Sequence, residues 1–99
     1  MKRQPLYATI APSVNLVLDG FKAEGNRTPD SHQILDELKK QYPVDYNYAL
    51  NEFNGNYMRF HAYIGRMLLN QKFGPIRHTG FTSSKNRFGN QSRNSTWMI

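Results

Sequence analysis

The sequence predicts an α+β fold, mainly helical, in which three or four helices are followed by a C-terminal β-hairpin. Three observations predict it. Apolar residues recur at helical spacing from Val14 to Leu68; strand-forming residues take over after Gly74-Pro75; and the chain closes on Trp97, Met98 and Ile99 after a long polar stretch. A frayed basic tail has no use for so apolar an ending, so these last residues read as the returning strand of a hairpin that docks on the helices.

Each element has its own signal. Val14, Val17, Leu18 and Phe21 follow Pro12, which suits a first helical turn, and Gly25-Asn26 ends that helix. Residues 1–11 are then an N-terminal arm and residues 12–99 a single domain. Thr28-Pro29-Asp30 is a start signal in which a hydroxyl caps, a proline follows and an acid sits in the first turn. Ile34, Leu35, Leu38 and Tyr42 mark one face of the second helix until Pro43 stops it. Asp45 is expected to cap a short third helix holding Tyr46, Ala49, Leu50 and Phe53. Asn54-Gly55 signals a turn, and Asn56 caps a helix that runs to about Asn70. The strands of the hairpin are expected at Ile76–Thr82 and Asn94–Ile99, with a basic loop from Ser83 to Asn94 between them.

Size and composition narrow the class. Ninety-nine residues with 38% hydrophobic content fill one small core. Without cysteine there are no disulfides and no thiolate metal sites, so packing must hold the fold. No apolar run reaches the roughly 20 residues of a membrane span, and Pro5, Pro12 and Asn15 interrupt the start. The reading is a soluble cytoplasmic protein with no membrane partner, nucleoid-associated if its source is bacterial or phage.

Charge is distributed unevenly along the chain. Residues 1–52 hold all seven acids against six Lys and Arg, whereas residues 53–99 hold Arg59, Arg66, Lys72, Arg77, Lys85, Arg87 and Arg93 and no acid. A half-chain with no negative charge attracts polyanions. On the fourth helix Tyr57, Phe60, Ile64, Met67 and Leu68 form an apolar stripe, and Arg59, Tyr63, Arg66 and Asn70 form a second one beside it.

Helices with a glycine-containing turn before the last, followed by a basic hairpin, form the layout of a winged helix-turn-helix. The major groove of B-DNA admits one helix whose outward side chains reach base edges. Arg59 and Arg66 suit guanine or phosphate, Asn56 and Asn70 adenine or backbone, and Tyr63 phosphate or a thymine methyl. Arg77 and the wing residues Lys85, Arg87 and Arg93 suit the adjacent backbone or minor groove. Enzymatic readings do poorly. His32, His61 and His78 lack a carboxylate partner at triad spacing, no glycine-rich phosphate loop is present, and nothing calls for a metal or other cofactor.

Tyr63-Ile64-Gly65-Arg66-Met67-Leu68, followed by Arg77, the basic loop and Trp97 in a final strand, resembles the winged-helix domains that end many viral and plasmid primase-helicases and related phage proteins. The resemblance covers roughly residues 28–99. It implies DNA binding by the helix bearing Arg66 and by the wing, without any ATPase or primase activity, for which the chain has no motif. The extra helix at 46–53 and the long, Asn-rich loop depart from that pattern. The expectation is a double-stranded-DNA-binding protein of a transcriptional or replication-related kind, with a recognition helix at about 56–70 and a wing at about 76–99. RNA binding is the first alternative, with Tyr63 and Phe88 as stacking platforms. A small phage-type factor binding an acidic host surface is the second. A homodimer would need an added helix or strand, for which residues 1–11 are the candidate.

Overall fold

The structure, a computed structural model, describes residues 4–74, 76–85 and 91–99. Four helices precede a two-stranded antiparallel hairpin, the order the sequence predicts.

The first helix, α1 (Gln4–Ala23), is longer than expected and contains Pro12 in its interior. Residues 4–11, expected as an arm, are its first half. The reason is burial. Leu6 and Ile10 continue the stripe of Val14, Val17, Leu18 and Phe21 into the core. A proline inside a helix costs about 3 kcal/mol, while burying two aliphatic side chains returns about 1.5–3 kcal/mol each. Pro12 itself lies on the exposed side of the helix.

The second helix, α2 (Ser31–Gln41), has its cap two residues later than the one expected at Thr28. Asp30 caps instead, in a reciprocal box. The Gln33 amide donates to Asp30 Oδ1 at 2.8 Å, and the Asp30 amide donates to Gln33 Oε1 at 2.9 Å. Residues 27–30 are held extended by the end of the chain. The Trp97 amide donates to the Pro29 carbonyl and the Ile99 amide to the Arg27 carbonyl, both at 2.9 Å, and Asp30 bridges Thr96. The segment leading into α2 therefore lies alongside the last residues of the chain, bonded to them but outside the two-stranded sheet.

Pro43 does two jobs. It stops α2 and occupies the first turn of α3 (Pro43–Glu52), so Tyr42 ends one helix and precedes the next. Asp45, expected to cap α3, lies inside its first turn, and its carboxylate accepts a hydrogen bond from the buried Ser13 hydroxyl of α1. The turn after α3 is as expected. Asn54 and Gly55 have φ of 56° and 78°, the left-handed region that Asn and Gly tolerate best. Asn56 then caps α4 (Tyr57–Leu69) by accepting the Arg59 amide at 3.2 Å.

The hairpin pairs β1 (Arg77–Lys85) with β2 (Gln91–Met98), from Arg77 opposite Met98 to Lys85 opposite Gln91. Both strands run further than expected, so most of the predicted loop from Ser83 to Asn94 is ladder. The residues at these positions are nearly all polar, so the sequence there lacks the apolar alternation by which a strand is recognised. The register shifts between His78 and Gly80, where Gly80 has φ of 152°.

The core joins the α1 stripe to Ile34, Leu35 and Leu38 of α2, Tyr46 and Ala49 of α3, and Phe60, Ile64 and Leu68 of α4. Phe73, Ile76 and Trp97 close it. Trp97 is 2% exposed, and its indole N–H donates to Ser31 Oγ at 2.9 Å. Among the described residues no helix is long and apolar enough to cross a membrane.

Candidate nucleic-acid interface

The Asn54-Gly55 turn joins α3 to α4, and the hairpin follows. Aromatic packing holds the two helices against each other. Phe60 of α4 meets Tyr46 of α3 edge-on at 5.1 Å and Phe53 in the turn at 5.9 Å. Tyr46 also shares a hydrogen bond of 2.9 Å with His61 Nε2. His61 is therefore part of the α3–α4 contact, which gives it a structural role.

With Phe60, Ile64 and Leu68 buried, the opposite side of α4 faces out. Arg59 and Arg66 are exposed, and they flank a shallow groove of about 350 Å³ whose other walls are Ala62, Phe53, Asn54 and Glu52. This brings together two cations predicted from sequence. It also brings in Glu52, an acid from the other half of the chain, so the outward surface is less uniformly positive than the sequence of residues 53–99 alone implies. Glu52 is engaged in interactions of its own within the structure.

Tyr63 is different from its stripe-mates. It is half-buried, its ring 5.5 Å from that of Phe53, and it packs against the core. Burial raises its phenol above the ordinary value, and the neighbouring Tyr7 phenol adds to the effect. Tyr63 thus stays a neutral hydrogen-bond donor through the physiological range, at the edge of the outward face. Asn56 and Asn70 are exposed at the two ends of α4, Asn56 as its N-cap and Asn70 as its C-cap.

In the hairpin, Arg77 is exposed at the base of β1, with Nη2 3.4 Å from Met98 Sδ. Lys85 and Arg93 have backbone positions in the ladder, opposite Gln91 and Ser83. Arg87, together with Phe88, lies outside the described residues. On the body side His78 stacks edge-on against Trp97 at 5.1 Å and against Phe81 at 5.0 Å, so the base of the wing is an aromatic ladder rooted in the core.

Sequence reasoning missed the apolar part of the outward face. Met58 is 75% and Leu69 60% exposed, with Ala62 exposed between them. The signal was available, because a 3.6-residue period places Ala62 and Arg66, two residues either side of Ile64, directly opposite it. Among the described residues no three His, Asp or Glu side chains gather where they could hold a metal ion.

The chain matches no protein-family model, no curated protein and no solved structure. The fold and the site therefore define a class by their own geometry: an α+β domain of four helices and a C-terminal antiparallel hairpin, compatible with a winged helix-turn-helix.

Proposed function

We propose that this protein binds double-stranded DNA, with α4 in the major groove and the hairpin on the adjacent backbone or minor groove. The observation that carries the reading is the outward face of α4, where exposed Arg59 and Arg66 stand on a helix fixed from behind by Phe60, Ile64 and Leu68. A helix so held presents its arginines with no backbone left to order on binding, and the groove of B-DNA admits one helix of this size. The hairpin that follows α4 is tied to the body through Trp97, which anchors the base of its two strands to the helices. Regulation of transcription or replication would follow from occupying a site on DNA.

The test is a titration of labelled duplex, single-stranded DNA and structured RNA of equal length, at two salt concentrations. Six phosphate contacts would give a logarithmic salt slope of about −5 on duplex. Tighter binding of duplex than of the other two, lost in Arg59→Ala and Arg66→Ala, is the expected result. Equal affinity of both variants and the parent overturns the proposal, and preference for RNA replaces it with an RNA-binding role.

A further inference from the structure

Met58, Ala62 and Leu69 form an exposed apolar line along the outward side of α4, beside Arg59 and Arg66. Single exposed apolar residues are ordinary on protein surfaces. Three in one line on the face that also carries two exposed arginines suit an occupant that is apolar in spots and anionic around them. The floor of the DNA major groove fits that description, because the C5-methyl of thymine is the apolar group it displays and phosphates line its walls.

Resting on the duplex-DNA reading above, we propose that α4 reads thymine methyl groups through Met58, Ala62 and Leu69, while Arg59 and Arg66 pair with guanine or phosphate alongside. Ala62 sits between Met58 and Leu69, and its single methyl lets the helix backbone approach the base edges. Met58 and Leu69, near the two ends of the helix, reach to either side. The preferred site is then a thymine-containing stretch next to guanine, not a purely G·C one. The same contacts disfavour RNA twice, since uracil lacks the methyl and the major groove of an A-form helix is too deep and narrow for side chains to read.

Uracil-for-thymine replacement in a duplex tests this cleanly. It keeps every hydrogen-bonding group and every phosphate and removes only the methyl. Covering one methyl changes affinity about fourfold. A duplex selected for tight binding should therefore lose about tenfold when all its thymines become uracil, given two or more such contacts. In the double variant Met58→Gln and Leu69→Gln, both at exposed positions, the thymine-to-uracil ratio should fall towards one, with an unchanged melting temperature reporting an intact fold. Arg66→Ala should weaken binding to both duplexes while keeping the ratio. A parent protein that binds both duplexes equally overturns the inference and leaves DNA binding standing. The inference also falls if the ratio survives in the Gln variant, or if that variant changes only the sedimenting mass, as a protein-docking face would. No duplex binding by the parent removes the underlying function as well.

Discussion

The two halves of the chain divide the work unequally. Residues before the Asn54-Gly55 turn carry every acid and the larger part of the core, including the whole α1 stripe. Residues after it carry no acid and bury only Phe60, Ile64, Leu68, Phe73, Ile76 and Trp97 among the described apolar side chains. The difference teaches that the second half is attached at a few well-buried points, which leaves its remaining side chains free to form a surface. A substitution at an attachment point should therefore damage stability, and a substitution between such points should damage binding alone.

The largest expected effect is at Trp97. Trp97→Ala removes the largest buried side chain of the hairpin, together with its hydrogen bond to Ser31, and it should cost about 3–5 kcal/mol in denaturant unfolding. A loss below about 1 kcal/mol would mean that the wing is held elsewhere. Next come the arginines. Arg59→Ala and Arg66→Ala should each lower duplex affinity by about 1–3 kcal/mol, with folding stability within about 0.5 kcal/mol of the parent. Lys39→Ala and Lys40→Ala, in the last turn of α2, serve as the matched controls and should leave binding nearly unchanged. Asp30→Ala, which removes the cap of α2 where the two halves meet, should cost about 1 kcal/mol of stability.

The smallest effect is a pH dependence. The Tyr63 phenol is raised in the folded state, so between its unfolded and folded values the native protein holds more protons than the unfolded chain. Its contribution is present below the ordinary phenol value of 10.0 and is lost as pH rises through the higher folded value. Comparison of the parent with Tyr63→Phe in alkaline unfolding should show a shallower decline for the variant. Duplex binding should show no Tyr63-linked change near neutrality.

Much of this molecule was legible in its sequence where local chemistry decides structure. The Asn54-Gly55 turn, the Asn56 cap and the apolar stripe of α4 depend on residues within one turn of each other, and the structure matches them. The docking of Trp97 was legible for a different reason: a large indole at the end of a polar stretch leaves water only by folding back onto the helices. What was not legible depends on distant partners. The start of α2 moved from Thr28 to Asp30 because the Trp97 and Ile99 amides hold residues 27–30 extended. Helix α1 passes through Pro12 because the burial of Leu6 and Ile10 on the far side outweighs a local breaker. The site divides in the same way. Arg59 and Arg66 could be placed from periodicity, whereas the half-burial of Tyr63 against Phe53 and the presence of Glu52 in the groove required the angle between α3 and α4.

The central claim is that duplex DNA meets the outward face of α4 and the wing. Amide chemical-shift mapping of the labelled protein during titration with a duplex tests it most directly. The account predicts the largest changes at Arg59, Ala62 and Arg66 and along the hairpin strands, with α1 and α2 almost unmoved. Changes centred on α1 or α2, with α4 silent, would contradict it.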